Sequence, residues 1–145
     1  MAKLSPFLWF PGNMQEAVEF YKTVFKDARV VSLNPMLATF ELLGQRFLAL
    51  NAHKHHDFNE AISFFIDCET QEEVDHYWSA LTAGGGRELM CGWVKDKFGV
   101  AWQVIPQALG RYLTDRDRAK ADRVMQAMLK MKKIVIGELD KAYRG

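Results

Sequence analysis

The side chains of this 145-residue chain that could do chemistry are few and unevenly placed. Three of its four histidines, His53, His55 and His56, share one polar stretch with Lys54, and two neighbouring imidazoles can hold a divalent cation loosely. Structural zinc sites draw spaced pairs of Cys or His from two places, and no second pair exists here, so a solvated linker is the plainer reading. The fourth, His76, lies beside Tyr77 and Trp78 in a helical stretch without an acid or cysteine at a diagnostic spacing. Cys91 becomes a nucleophile only with a base beside it, and no histidine is an obvious partner. Glu60 precedes an apolar run and, if desolvated, is a candidate general base. Glu60 and Cys91 are thus the two candidate catalytic residues, with a rim salt bridge and an inert thiol as their plainer readings. Gln103 differs in kind: a lone amide inside Val100 to Ile105, suited to orient a ligand but poor as a metal ligand.

Those residues need elements to position them. From Cys91 to Pro106 two apolar runs flank Lys95-Asp96-Lys97-Phe98-Gly99, which predicts an antiparallel hairpin. Its second strand alternates, with Ala101, Gln103 and Ile105 on one face and Trp102 and Val104 on the other. Upstream, Leu4 to Phe10 reads as a strand, and Asn13 is the expected cap of a helix from Met14 to Phe25. Strands follow at Arg29 to Leu33, Leu37 to Leu43 and Arg46 to Asn51.

The same order returns downstream. A strand is expected over Ala61 to Asp67, a helix over Gln71 to Leu81 ended by Ala83-Gly84-Gly85-Gly86, and strands over Arg87 to Cys91, Trp93 to Lys95 and Val100 to Ile105. Gln15 to Tyr21 matches Gln71 to Tyr77 at four of seven positions with an offset of 56, and that offset also lays Leu8-Trp9-Phe10 over Phe64-Phe65-Ile66. The expected fold class is α+β, with two paired βαβββ modules at 4–51 and 61–106, a linker at 52–60 and a helical tail at 107–145. In the tail, a helix opening at Asp115 carries Val124, Met128 and Met131 on one stripe, and Ile134 to Tyr143 forms another. Methionine stripes most often pack a core, so the tail either rests on its own domain or clasps a second subunit.

Nearly half of the residues are hydrophobic and the formal charge is +1, as in an ordinary soluble globular protein. No signal peptide is read at the start, and no apolar run nears the roughly 20 residues of a membrane span. Two cysteines make no disulfide framework, which points to a reducing cytoplasm. From Arg111 onward ten Lys/Arg face five Asp/Glu, but the charges are interspersed on helices, so neither nucleic acid nor membrane is an expected partner.

The βαβββ repeat, the string Met14 to Tyr21 and above all Gly92-Trp93-Val94-Lys95-Asp96-Lys97-Phe98-Gly99-Val100-Ala101-Trp102-Gln103 resemble the PhnB-like branch of the vicinal oxygen chelate superfamily. That superfamily includes glyoxalase I, bleomycin-resistance proteins and extradiol dioxygenases, and some members carry a 3-demethylubiquinone 3-methyltransferase label. Methyl transfer from an adenosyl cofactor usually needs a glycine-rich turn after a parallel strand, whereas Gly84-Gly85-Gly86 ends a helix. Metal-dependent relatives take one ligand from the first strand of each module and a glutamate from the final strand. The resemblance places those positions at Pro6 (or Ser5), Ala61 and Gln103, so no metal and no other cofactor is expected. It further implies sheets curved around a cavity. Alternation, with the offset of 56 carrying it to the first module's last strand, then assigns Leu8, Phe10, Phe47 and Asn51 to the pocket from the first module, and Ser63, Phe65, Gln103 and Ile105 from the second, with Trp93 at its mouth and Phe64 and Ile66 left for the helix side. The expected function is binding of an apolar or aromatic small molecule, in a homodimer. The alternatives are a metal-independent enzyme using Glu60 or Cys91, and a metal-dependent glyoxalase- or dioxygenase-type enzyme with atypical ligands.

Overall fold

Burial alternates along Phe7-Leu8-Trp9-Phe10: Leu8 and Phe10 are buried, Phe7 and Trp9 exposed. That period of two marks a half-buried strand. It opens the first of two units in the computed structural model, which describes residues 1–145. The first unit, Met1–Asp57, contains β1 (Phe7–Phe10), α1 (Met14–Val24), β2 (Arg29–Leu33), β3 (Leu37–Leu42) and β4 (Gln45–Asn51). Its sheet has the order β1-β4-β3-β2, with β1 parallel to β4 and the other pairs antiparallel. Helix α1 buries Met14, Ala17, Val18, Tyr21 and Val24, and the rings of Tyr21, Phe40 and Phe47 stack in series between helix and sheet.

The helix start corrects one expectation. Asn13 occupies the N-cap position but makes no side-chain cap bond, and its Oδ1 is buried and unpaired. The Met14 N–H donates instead to Asn51 Oδ1 at 2.9 Å, while Asn51 Nδ2 donates to the Pro35 carbonyl at 2.8 Å. The last strand therefore caps the helix and ties it to the sheet.

The second unit, Phe58–Gly145, repeats the order with β5 (Phe64–Cys68), α2 (Gln71–Thr82), β6 (Arg87–Glu88), β7 (Trp93–Lys95) and β8 (Ala101–Pro106). Its sheet runs β5-β8-β7-β6, again with the first strand parallel to the last. Here the helix caps itself: Thr70 Oγ1 accepts the Glu73 N–H, and the Glu73 carboxylate accepts the Thr70 N–H. The β7–β8 turn is pinned from inside. Asp96, 3% exposed, accepts the N–H groups of Phe98 and Val100 on Oδ1 and the Trp102 indole N–H on Oδ2. A buried carboxylate is costly without such donors, and three of them offset that cost.

Strand β6 is shorter than expected because Cys91 (φ +59°) and Gly92 (φ +83°) turn left-handed and stop an extended run. Their N–H groups donate to the Met131 and Lys132 carbonyls at 2.8 Å each, which brings the tail onto the sheet. The tail holds three helices, α3 (Gln107–Leu113), α4 (Arg118–Met128) and α5 (Ile136–Arg144). Of these, α3 continues directly from β8 and falls before the expected first helix of the tail. Ile105, Leu109, Val124, Ile134 and Leu139 form one buried cluster, with Met128 and Met131 packed against it. Gln71 at the start of α2 fastens this cluster, donating to the Ile134 carbonyl at 3.0 Å and accepting the Ile136 N–H at 2.7 Å. The methionine stripe packs against the core of its own unit.

Candidate functional site

Sheet register sorts the second unit's side chains. Trp93 lies opposite Gln103, and Gln103 opposite Phe65, so these three form one row across β7, β8 and β5. Val94, Trp102, Val104 and Ile66 point the other way and are buried on the side of α2. In the row, Phe65 is 57% exposed and Trp93 and Gln103 are half-buried. Gln103 Nε2 donates to Ser63 Oγ at 2.9 Å. Ser63, Phe65, Trp93 and Gln103 thus come together: two aromatic surfaces around a positioned amide and hydroxyl. Residues 61–63 precede the strand, which begins at Phe64, and Asn59 Oδ1 accepts the Ala61 N–H there.

The row has a charged end and an apolar end, each two residues, or about 7 Å, along the strands. At one end Lys95 Nζ meets Glu60 at 2.8 Å, with Arg87 directly opposite Lys95 in the sheet. The hydrogen bond from Lys95 holds the Glu60 carboxyl below its ordinary range, which makes it a weaker base. At the other end stands Ile105. It shares the face of Gln103 but is sealed under the tail, which corrects its expected place in the pocket. A Cβ at Gly92 would lie 2.6 Å from Ile105 Cδ1 and 3.1 Å from Ile134 Cγ1, so only glycine lets tail and sheet approach this closely.

In the first unit the expected facing is reversed. Leu8, Phe10 and Phe47 are buried in the core with α1, and the Asn51 amide is engaged as the helix cap. The physical reason is register. The offset of 56 carries Ala49 onto Ile105, but with Leu8 over Phe64 the parallel pairings put Ala49 over Trp102. An odd slip flips every side chain to the other face. A signal was available in the repeat: Leu8 and Phe10 overlie Phe64 and Ile66, residues assigned to the helix side from sequence. Phe7 and Trp9 with Leu48 and Leu50 form the open face instead. There a cavity of about 300 Å³ is lined by Trp9, Met36, Leu50 and residues 51–54.

The positions that hold a divalent ion in metal-dependent relatives do not fit one here. Pro6 offers only its carbonyl, which accepts the Leu48 N–H at 2.9 Å; Ala61 has no donor atom; and Gln103 is a neutral amide bonded to Ser63. No three of the chain's His, Cys, Asp and Glu side chains converge as a metal site would require. In the 52–60 segment His55 pairs with Asp57, His56 lies against the Trp9 ring at 5.5 Å and His53 lines the cavity. Cys91 is half-buried on left-handed backbone, and burial pushes the Cys68 thiol up to about 12, which leaves it inert. The Gly84–Gly86 turn is no open phosphate cradle: a Cβ at Gly86 would lie 2.6 Å from the Leu81 carbonyl.

Residues 2–105 match the family described as 3-demethylubiquinone-9 3-methyltransferase. Among solved structures, a PhnB protein of Bacillus cereus is 32% identical, with a TM-score of 0.64 over 72% of this chain and 99% of its own. A protein of Pseudomonas aeruginosa is 22% identical, with a TM-score of 0.61 over 73% of this chain and 98% of its own. A glyoxalase-related enzyme of Fulvimarina pelagi is 15% identical, with a TM-score of 0.57 over 73% of this chain and 88% of its own, a likeness of fold. No curated protein matches the chain. The family match stops at residue 105, so α3, α4 and α5 lie beyond it.

Proposed function

The chain belongs to the family described as 3-demethylubiquinone-9 3-methyltransferase, on the PhnB-like branch of the glyoxalase-like vicinal oxygen chelate superfamily, and on that premise we propose that it binds a small apolar or aromatic molecule without using the superfamily's metal. One observation carries this reading. At the position where metal-dependent relatives place a glutamate, Gln103 donates to Ser63 between two partly exposed aromatic side chains, Phe65 and Trp93. An amide cannot charge-balance a divalent ion, but it can donate to and accept from a neutral ligand, while the rings supply apolar surface. The Lys95–Glu60 pair closes one end with charge and the tail closes the other with hydrocarbon. The preferred ligand therefore has an apolar body and a polar group near Gln103.

The test is a set of small aromatic molecules titrated against the protein and detected by native mass spectrometry. Gln103→Leu is expected to weaken binding about tenfold, since it removes the ligand's hydrogen-bond partner and leaves the Ser63 hydroxyl alone. Glu60→Gln is expected to leave affinity unchanged. Equal affinities for wild type and Gln103→Leu would sink the reading. The same reading includes a homodimer, which light scattering of the purified protein decides.

A further inference from the structure

The cavity in the first unit takes no part in the Gln103 row, yet its chemistry is specific. Its volume of about 300 Å³ suits a one- or two-ring molecule. Its walls are Trp9, Met36 and Leu50, and Trp9 and Met36 remain 41% and 50% exposed, a large apolar surface left facing water. Its polar chemistry is one-sided. Asn51 borders the cavity, but its Oδ1 and Nδ2 are already bonded to Met14 and Pro35. The remaining polar side chains of the lining are the His53 imidazole and the Lys54 ammonium, and no carboxylate is among them. Asp57, the acid nearest in sequence, faces His55.

We propose that this cavity binds a small aromatic carboxylate, with its ring against Trp9, Met36 and Leu50 and its carboxylate on the Lys54 ammonium. An indole face and a thioether both favour a flat ring, and an ammonium forms its strongest hydrogen bonds with an anion. The floor is already rigid, because Asn51 ties the end of β4 to α1 and to the β2–β3 connection. Little ordering is then left for binding to drive. This site and the Gln103 row stand on different residues, so either can fail alone.

The test is calorimetric titration with naphthalene-2-carboxylate and with its uncharged twin, naphthalene-2-methanol. Wild type is expected to prefer the carboxylate. Lys54→Gln should weaken the carboxylate about tenfold and leave the alcohol within about twofold. Ala52→Trp, which places an indole in the cavity, should abolish the Lys54-dependent preference for the carboxylate and leave only binding that Gln103→Leu removes; circular dichroism verifies its fold. Gln103→Leu should keep the Lys54-dependent preference for the carboxylate. The proposal is overturned if wild type binds acid and alcohol alike or binds neither. It is equally overturned if Lys54→Gln leaves carboxylate affinity unchanged, or if folded Ala52→Trp keeps the carboxylate preference while Gln103→Leu loses it, a result that would move the carboxylate to the Gln103 row.

Discussion

The two units share one βαβββ order and differ most on the sheet face turned away from the helix. In the first unit that face leaves Phe7 and Trp9 exposed beside a cavity. In the second it carries the Phe65–Gln103–Trp93 row, and Ile105 disappears under the tail. The helix sides are alike, with Leu8 and Phe10 in one unit and Phe64 and Ile66 in the other supporting an amphipathic helix. A duplicated module must keep its helix core to fold, whereas the opposite face is free to diverge in what it binds and what covers it. Capping has diverged too: α1 takes its cap from Asn51, and α2 from its own Thr70 and Glu73.

The contrast breaks most sharply at Asp96, which has no counterpart described in the first unit. Asp96→Ala leaves the Phe98 and Val100 N–H groups and the Trp102 indole without their acceptor. The expected loss is about 3 kcal/mol or more, read from urea unfolding. Glycines offer the next comparison. Gly92→Ala combines a positive φ with a collision against Ile105, whereas a Cβ at Gly44 (φ +79°) meets nothing within 4 Å. We expect about 2–3 kcal/mol at Gly92 and about 1 kcal/mol at Gly44, measured by thermal unfolding. Caps come third. Asn51→Ala removes both the α1 cap and the Pro35 tie, and should cost about 1–2 kcal/mol, slightly more than Thr70→Ala at about 1 kcal/mol.

The smallest effect is a pH response where the tail meets α2 and itself. Hydrogen bonds from Lys133 and Tyr143 hold Asp75 and Asp115 below their ordinary value of 3.8. A depressed carboxylate stabilises the fold when ionised, so this contribution is present at neutral pH and is lost as pH falls through the lowered folded values. Tyr112 and Tyr143 shift the other way: their bonds to Asp140 and Asp115 raise them above 10.0. Their contribution is present below pH 10.0 and is lost as pH rises through the folded values. All four residues are only half-buried and stay within reach of solvent screening, so the change is small. Near-ultraviolet circular dichroism of the stacked Tyr112–Tyr143 pair should fade below pH 3.8, and Asp115→Asn should abolish that acid dependence in part.

Local patterns carried most of the fold into the sequence. Alternation revealed the strands, helical spacing revealed α1, the repeat and its closing glycines revealed α2, and the charged turn before Val100 marked the β7–β8 hairpin. What escaped depends on partners far along the chain. Nothing around Asn13 says that Asn51, 37 residues from Met14, supplies the cap. Nothing around Ile105 says that a tail ending at Gly145 folds back over it. The facing of Phe47 failed because one offset was carried across connections of unequal length, and a strand tolerates no odd error. Trp9 and the cavity were lost with it. The Ser63–Phe65–Gln103 grouping was legible because it needs only alternation at the start of β5, from Ser63 just before it, and within β8.

Whether this chain binds its ligand without a metal is decided by metal content read alongside binding. Untagged protein, prepared without added metal, would be assayed by elemental analysis and by native mass spectrometry before and after exhaustive chelation. Metal-free binding requires a substoichiometric metal content and aromatic-ligand binding that chelation leaves unchanged. One divalent ion per chain, with binding lost on chelation and restored by that ion, would contradict it.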